Sequence, residues 1–246
     1  MKKTILLTFS ILVISNFCFS QESGIISYTV TSDWTKMIAT CDYLSQAEKE
    51  RTAYTWGGRT YDRKAELKFN AGEYRFEYQN ENEGSTYQWR REDYIIYRDR
   101  EKEESTDIMT ILDKPYMIKD SVVCQNWKIL NDMKEVAGRI CMNALWYDPI
   151  KNKEVIAWFA LDLPIPLGPN RYCGLPGMIL EINEANGAVI YTATAILLPE
   201  EKVEIEKPVY KKKTKVIDYA AYDKIISDYI AQSKKMQRPY FWNIGF

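Results

Sequence analysis

The chain contains no histidine, and that absence excludes more chemistry than any motif adds. Ser-His-Asp and Cys-His nucleophiles, HExxH zinc sites and most copper and iron sites all need an imidazole. Hydrolysis by a carboxylate pair survives, because Asp and Glu total 34, yet no spacing singles out a pair. Cysteine is the other reactive type. Cys41, Cys124, Cys141 and Cys173 follow the N-terminal segment, with 82, 16 and 31 residues between them. Without a CxxC spacing they fit zinc poorly. An even number in an oxidising compartment points instead to one or two disulfides. No catalytic residue, cofactor or metal ligand is assigned.

The oxidising compartment is read from the N-terminus. Lys2 and Lys3 precede an almost wholly apolar run, Ile5 to Val13, and Ser20 offers a small residue for cleavage before Gln21. Residues 1–20 read as a signal peptide and 21–246 as one domain of about 226 residues. The apolar run is too short, and too interrupted by Thr8, Ser10, Ser15 and Asn16, to cross a bilayer comfortably. Bulky Phe17 argues against lipid attachment at Cys18. No later segment is apolar enough to span, so no integral membrane segment is expected after cleavage. The expected location is the periplasm, the outer membrane surface or the medium. A net charge of −1 gives no electrostatic reason for a nucleic-acid partner.

The elements that must position any site are mostly strands. Lys64 to Phe69 and Glu73 to Gln79 alternate polar and apolar around the turn Asn70-Ala71-Gly72, which predicts a hairpin with one buried face. Further strands are expected over Arg91 to Asp99, Ile108 to Leu112 and Tyr116 to Lys119. A meander then follows: Trp127 to Leu130, Val136 to Tyr147, Glu154 to Leu161, Met178 to Ile182 and Ala188 to Leu198. Short connections make sequence neighbours sheet neighbours. A helix opens at Ser45 with Glu48 as a capping box and closes at Gly57-Gly58. Another runs from about Asp218 to Gln237, with Tyr222, Ile225, Ile226, Tyr229 and Ile230 on one face. The expected fold is mainly β (α+β): one large twisted antiparallel meander sheet bent toward a half-barrel. A short N-terminal helix accompanies it, and an amphipathic C-terminal helix packs on it. The lysines of residues 211–215 read as a solvated edge.

The segment Asp162 to Gly177, DLPIPLGPNRYCGLPG, holds four of the nine prolines and three glycines between two strands. Proline fixes its own φ and glycine admits φ above zero, so this is an ordered, rigid loop. Leu163, Ile165, Leu167 and Leu175 suit it to cover the core. The meander brings the start of the strand holding Cys141 near this loop, which predicts a Cys141–Cys173 disulfide; Cys124–Cys173 and Cys41–Cys124 are the competing pairings.

Gly174-Leu175-Pro176-Gly177-Met178-Ile179-Leu180 resembles the signature of the GLPGLI family, exported proteins of Bacteroidota with no established activity. Val136-Ala137-Gly138-Arg139-Ile140-Cys141 resembles that family's glycine-x-x-cysteine strand, and Ala157-Trp158-Phe159 its Ala-Trp-Tyr strand. Pro164-Ile165-Pro166-Leu167-Gly168-Pro169 resembles the turn before the signature. The match covers about residues 124–195, with Met178 and Phe159 as departures. Cys124 and Cys173 are not family cysteine positions. The resemblance implies ancestry and export, and no reaction.

Two readings of the loop follow. As structure, Gly168, Gly174, Pro176 and Gly177 shape a cap over the sheet. As a recognition site, Trp158, Pro169, Tyr172, Leu175 and Pro176 are the contact residues, with Trp146 and Tyr147 lining a nearby pocket. The expected function is an exported, non-catalytic binding or accessory protein of the cell envelope, linked to outer-membrane uptake or assembly through an envelope protein partner. The alternatives are a periplasmic carrier of an apolar ligand, like the half-barrel lipoprotein carriers, and a carboxylate-dependent hydrolase.

Overall fold

The structure, a computed structural model, describes residues 23–56, 60–79, 94–210, 214–241 and 244. The expected signal peptide, Gly57-Gly58, the first residues of the strand expected at Arg91 and three of the five residues in the lysine run lie outside them. Twelve strands form one open, mixed sheet. Six come first: β1 (Gly24–Asp33), β2 (Thr60–Phe69), β3 (Glu73–Tyr78), β4 (Ile95–Asp99), β5 (Glu104–Ile111) and β6 (Lys114–Ser121). The meander supplies β7 (Lys128–Val136), β8 (Arg139–Asp148), β9 (Lys153–Ala160), β10 (Met178–Glu184) and β11 (Val189–Leu197), and β12 is short (Lys215–Ile217). Among the described residues three helices accompany the sheet: α1 (Trp34–Ala39), α2 (Gln46–Trp56) and α3 (Tyr219–Lys235). Among the described residues no helix is long and apolar enough to cross a membrane.

The spatial order is β12-β6-β5-β4-β3-β2-β1-β11-β10-β9-β8-β7. Sequence neighbours therefore pair within β1–β6 and within β7–β11, the latter as expected from the short connections of the meander. The two runs meet where β1 pairs antiparallel with β11, and β12 pairs in parallel with β6. β6 and β7 stand ten places apart in this order, about 48 Å in a flat sheet. The chain covers that interval from Ser121 to Lys128 in seven residue steps, which reach about 25 Å at most. The sheet must therefore curl strongly, bringing its two flanks together without closing.

One face of the sheet lines the core. Register aligns Arg63, Val30, Tyr191, Ile182, Ala157, Ala144 and Ile129 across β2, β1, β11, β10, β9, β8 and β7, and this is called the inner face here. Tyr28, Phe76, Ile26, Leu67 and Phe159 fill its centre, fully buried. α3 packs Tyr222, Ile226, Tyr229 and Ile230 into the same core. Its first turn is closed by the Asp218 carboxylate, which accepts from the Ala221 amide at 2.7 Å. The capping box of α2 forms as expected: the Ser45 hydroxyl accepts from the Glu48 amide at 3.2 Å, and Glu48 reaches back to the Ser45 amide.

Three expectations need correcting. Gly24–Asp33, to which the sequence reading gives no strand, is the central strand of the sheet. The strand expected from Val136 is cut by a two-residue turn at Ala137 (φ 50°) and Gly138 (φ 77°), so these residues tip the β7–β8 hairpin. The disulfide joins Cys124 to Cys173, while Cys141 and Cys41 are free, buried thiols. The hairpin turn explains the last point. It sets Cys141 opposite Lys134 and Ala160, on the outer face beside Asn143 and Trp158, while the strap 122–127 crosses the loop and presents Cys124 to Cys173.

Candidate functional site

The Pro/Gly loop is bonded into the sheet at both ends. The Met178 amide donates to the Leu163 carbonyl and the Ile179 amide to the Leu167 carbonyl, each at 2.8 Å. Within it Leu167 bridges Cys173, and Leu163, Ile165 and Leu167 are buried. The strap fastens the loop from above. Besides the disulfide, the Trp127 indole donates to the Cys173 carbonyl at 2.8 Å, the Cys173 amide donates to Gln125 at 3.1 Å, and the Gln125 side chain donates to the Arg171 carbonyl at 3.2 Å.

Beneath the loop the inner face is polar and aromatic. Tyr172 meets Trp127, Trp146 and Tyr191 with ring centroids 6.0–6.4 Å apart. Its hydroxyl donates to Glu184 at 2.6 Å, and Glu184 also accepts from the Lys153 ammonium. Burial pulls the Lys153 ammonium down to about 8, with Glu184 opposing. Burial, then Glu184, pushes the Tyr172 phenol well up, so it stays a donor. Asn170, at φ 56°, turns its side chain inward. The Tyr94 hydroxyl donates to the Asn170 carbonyl oxygen at 2.6 Å, and the Asn170 amide donates to the Tyr191 hydroxyl at 3.2 Å. Arg171 reaches α3, donating to the Tyr222 hydroxyl at 3.1 Å with its guanidinium 4.5 Å from that ring.

A second buried ion pair lies under the start of α3. Arg98 donates to Asp107, both side chains being almost fully enclosed, and to the Tyr219 hydroxyl at 2.9 Å. Tyr219 in turn donates to Asp107 at 2.7 Å. A small pocket of about 40 Å³ lies among Thr40, Tyr43, Ile150, Lys151, Lys234 and Tyr240, room for a few waters.

A family model described as a protein of unknown function, Porph_ging, matches residues 147–181, which span the end of β8, all of β9, the loop and the start of β10. No curated protein matches the sequence. Among solved structures the chain is similar to PNGF-II in two crystal forms. In the C2 form the TM-score is 0.53 at 14% identity, with 83% of this chain and 32% of that chain covered. In the P21 form the TM-score is 0.51 at 13% identity, covering 83% and 33%. At such identities the likeness is one of fold, and this chain spans about a third of the length of those structures.

The expected contact residues are dispersed by the fold. Leu175 is 2% exposed and Tyr172 7%, so neither is available to a partner, and Pro169 is buried as well. Trp158 lies on the outer face, opposite Asn143 and under the Lys134 ammonium at 4.4 Å, away from Trp146. Tyr147 is half exposed. Of the five, Pro176 alone is exposed. The loop is thus a packed cap, and what it sends inward is Asn170 and Arg171, which sequence reasoning passed over. Arg98, Asp107 and Glu184 had a legible signal: each occupies an inner-face position of its strand, where an apolar residue is the rule.

The outer rim of this region is apolar instead. β7 is an edge strand with β8 as its ladder partner, and Ile129 (50%), Met133 (68%) and Ile140 (63%) are exposed. Register places all three on the inner face, at its uncovered far end. Leu161, which follows Ala160 at the end of β9, is exposed as well.

Proposed function

We propose that the protein is exported and serves in the cell envelope as a non-catalytic binding or accessory protein, docking a protein partner through the β7–β8 flank beside the signature loop. The observation that carries this reading is the exposed stripe of Ile129 and Met133 on the edge strand β7 and Ile140 on its neighbour β8. Large apolar side chains clustered on one rim favour burial against a partner over isolated exposure. Asp132, Lys134 and Glu135 interrupt the strand edge with charge, and Leu130 to Asp132 bulge opposite Asn143. These features discourage self-pairing, and Glu135, opposite Ile140 on the same face, gives the stripe a charged margin. The charged start, the apolar run and the disulfide support export. A carrier of apolar ligands is the weaker reading, because the interior under the loop is lined by phenols, guanidinium groups and ion pairs.

A photocrosslinking residue at Met133, compared with one at Thr31 on the outer face, tests the proposal in envelope fractions. The expected result is a discrete adduct from Met133 alone, lost in Ile129→Glu and Ile140→Glu variants that melt like the parent. Equal labelling at both positions, or adducts that survive both variants, would overturn it.

A further inference from the structure

Among the described residues three arginines, Arg63, Arg98 and Arg171, reach the inner face, and they are treated differently. Arg98 shows how this fold neutralises one: Asp107 pairs with it, and the Tyr219 hydroxyl and the Tyr97 carbonyl accept two further donors. Arg63 and Arg171 have similar aromatic surroundings. The Arg63 guanidinium lies 3.9 Å from the centroid of Tyr78, and Arg171 lies 4.5 Å and 5.5 Å from Tyr222 and Tyr219. Among the described residues, however, no carboxylate oxygen lies within 4.0 Å of either guanidinium. Each side chain carries five N–H donors in a planar fork, and Arg171 places one on the Tyr222 hydroxyl. The two sites are linked. The Tyr78 ring under Arg63 is 5.4 Å from Tyr94, and the Tyr94 hydroxyl is bonded to Asn170, the residue before Arg171. The Tyr78 and Tyr191 hydroxyls face each other at 3.5 Å. Two hydroxyls that share one bond leave one proton to give elsewhere.

We propose that Arg63 and Arg171, on either side of Tyr78, Tyr94 and Tyr191, bind a small ligand bearing an oxyanion: a carboxylate, sulfate or phosphate. A guanidinium fork matches two oxygens of such a group, and partial burial strengthens the contact by excluding water. The spare phenol proton of the Tyr78–Tyr191 pair supplies a neutral donor to the same group. Arg98, already paired with Asp107, takes no part. The proposal goes beyond docking at β7 and does not depend on it.

The test is the melting of the mature protein with sulfate, phosphate, acetate or citrate, against sodium chloride at equal ionic strength. Sulfate and phosphate stabilise proteins generally by exclusion from the surface, so the decisive comparison is with Arg63→Gln and Arg171→Gln. The expected result is a saturable rise in midpoint with at least one oxyanion in the parent, absent or at least tenfold weaker in each variant. Tetrahedral ions acting alone would assign the site to phosphate or sulfate, and acetate or citrate acting alone would assign it to carboxylates. No rise beyond chloride, or an equal rise in the variants, would overturn the proposal. Should a Gln variant fail to fold, Arg63→Lys and Arg171→Lys decide by the same criterion, because lysine keeps the charge and loses the fork.

Discussion

Gly177 sits where a Cβ would come within 2.1 Å of the Ala160 carbonyl oxygen, so any side chain there must push the loop off β9. Gly174 has φ +92° and faces the Cβ of Cys124 at 2.8 Å; Gly168 faces Ile179 at 2.8 Å. Positive φ therefore explains Gly174, while close approach explains the other two. With Leu175 packed at 2% exposure, Leu175→Ala should cost about 2 to 5 kcal/mol, and Gly177→Val should cost at least as much because the clash is with backbone. Urea melts of both variants check this, and an unchanged midpoint for Leu175→Ala would mean that the loop is not packed as described. The alternation of Leu163, Ile165 and Leu167 with prolines made this cover legible in the sequence. The inward turn of Asn170 and Arg171 was not, because a loop has no period from which side-chain direction follows. Tyr172 and Leu175 were legible as large and apolar, and the choice between contact and core needed the fold.

At the scale of elements, α3 shows what a strong period conveys. Tyr222, Ile226, Tyr229 and Ile230 recur at helical spacing, and the structure buries them together with Ser233. Ile226 is 1% exposed, so Ile226→Asp should lower stability by several kcal/mol, since a carboxylate without a partner would enter an apolar contact. Circular dichroism melts of that variant and of Lys224→Asp, on the exposed side, check it; equal midpoints would mean that α3 is not docked by this face. Strand elements were legible wherever a turn residue broke the alternation, as at Asn70-Ala71-Gly72. The β7–β8 hairpin was missed because Ala137-Gly138 sits inside an otherwise continuous pattern. β1 alternates Ile26, Tyr28 and Val30 with Ser27, Thr29 and Thr31, a readable signal. Its role as the central strand is not local, because its second partner, β11, lies more than 150 residues away in sequence.

For the whole molecule, the decisive feature is how the two strand runs are tied. β1–β6 and β7–β11 share the β1–β11 ladder, the strap from Ser121 to Lys128, and α3. The helix bonds through Tyr219 to Asp107 on β5 and through Tyr222 to Arg171 in the loop, so it holds both runs at once. Neither run can expose its inner face without stripping α3 and opening the curl that the short strap imposes. Unfolding should therefore be a single transition, although a protein of this length often shows intermediates. Of the seven tryptophans, Trp127, Trp146 and Trp158 lie in the strap and the second run, and Trp34 and Trp56 lie in α1 and α2, so emission reports side-chain surroundings at both ends of the fold, whereas far-ultraviolet circular dichroism averages over all twelve strands. The expected outcome is coincident urea midpoints by the two probes under oxidising conditions. Midpoints that separate would show that the β1–β11 ladder and α3 do not couple the runs, and would make the second run, with its loop and apolar rim, an independently folding unit.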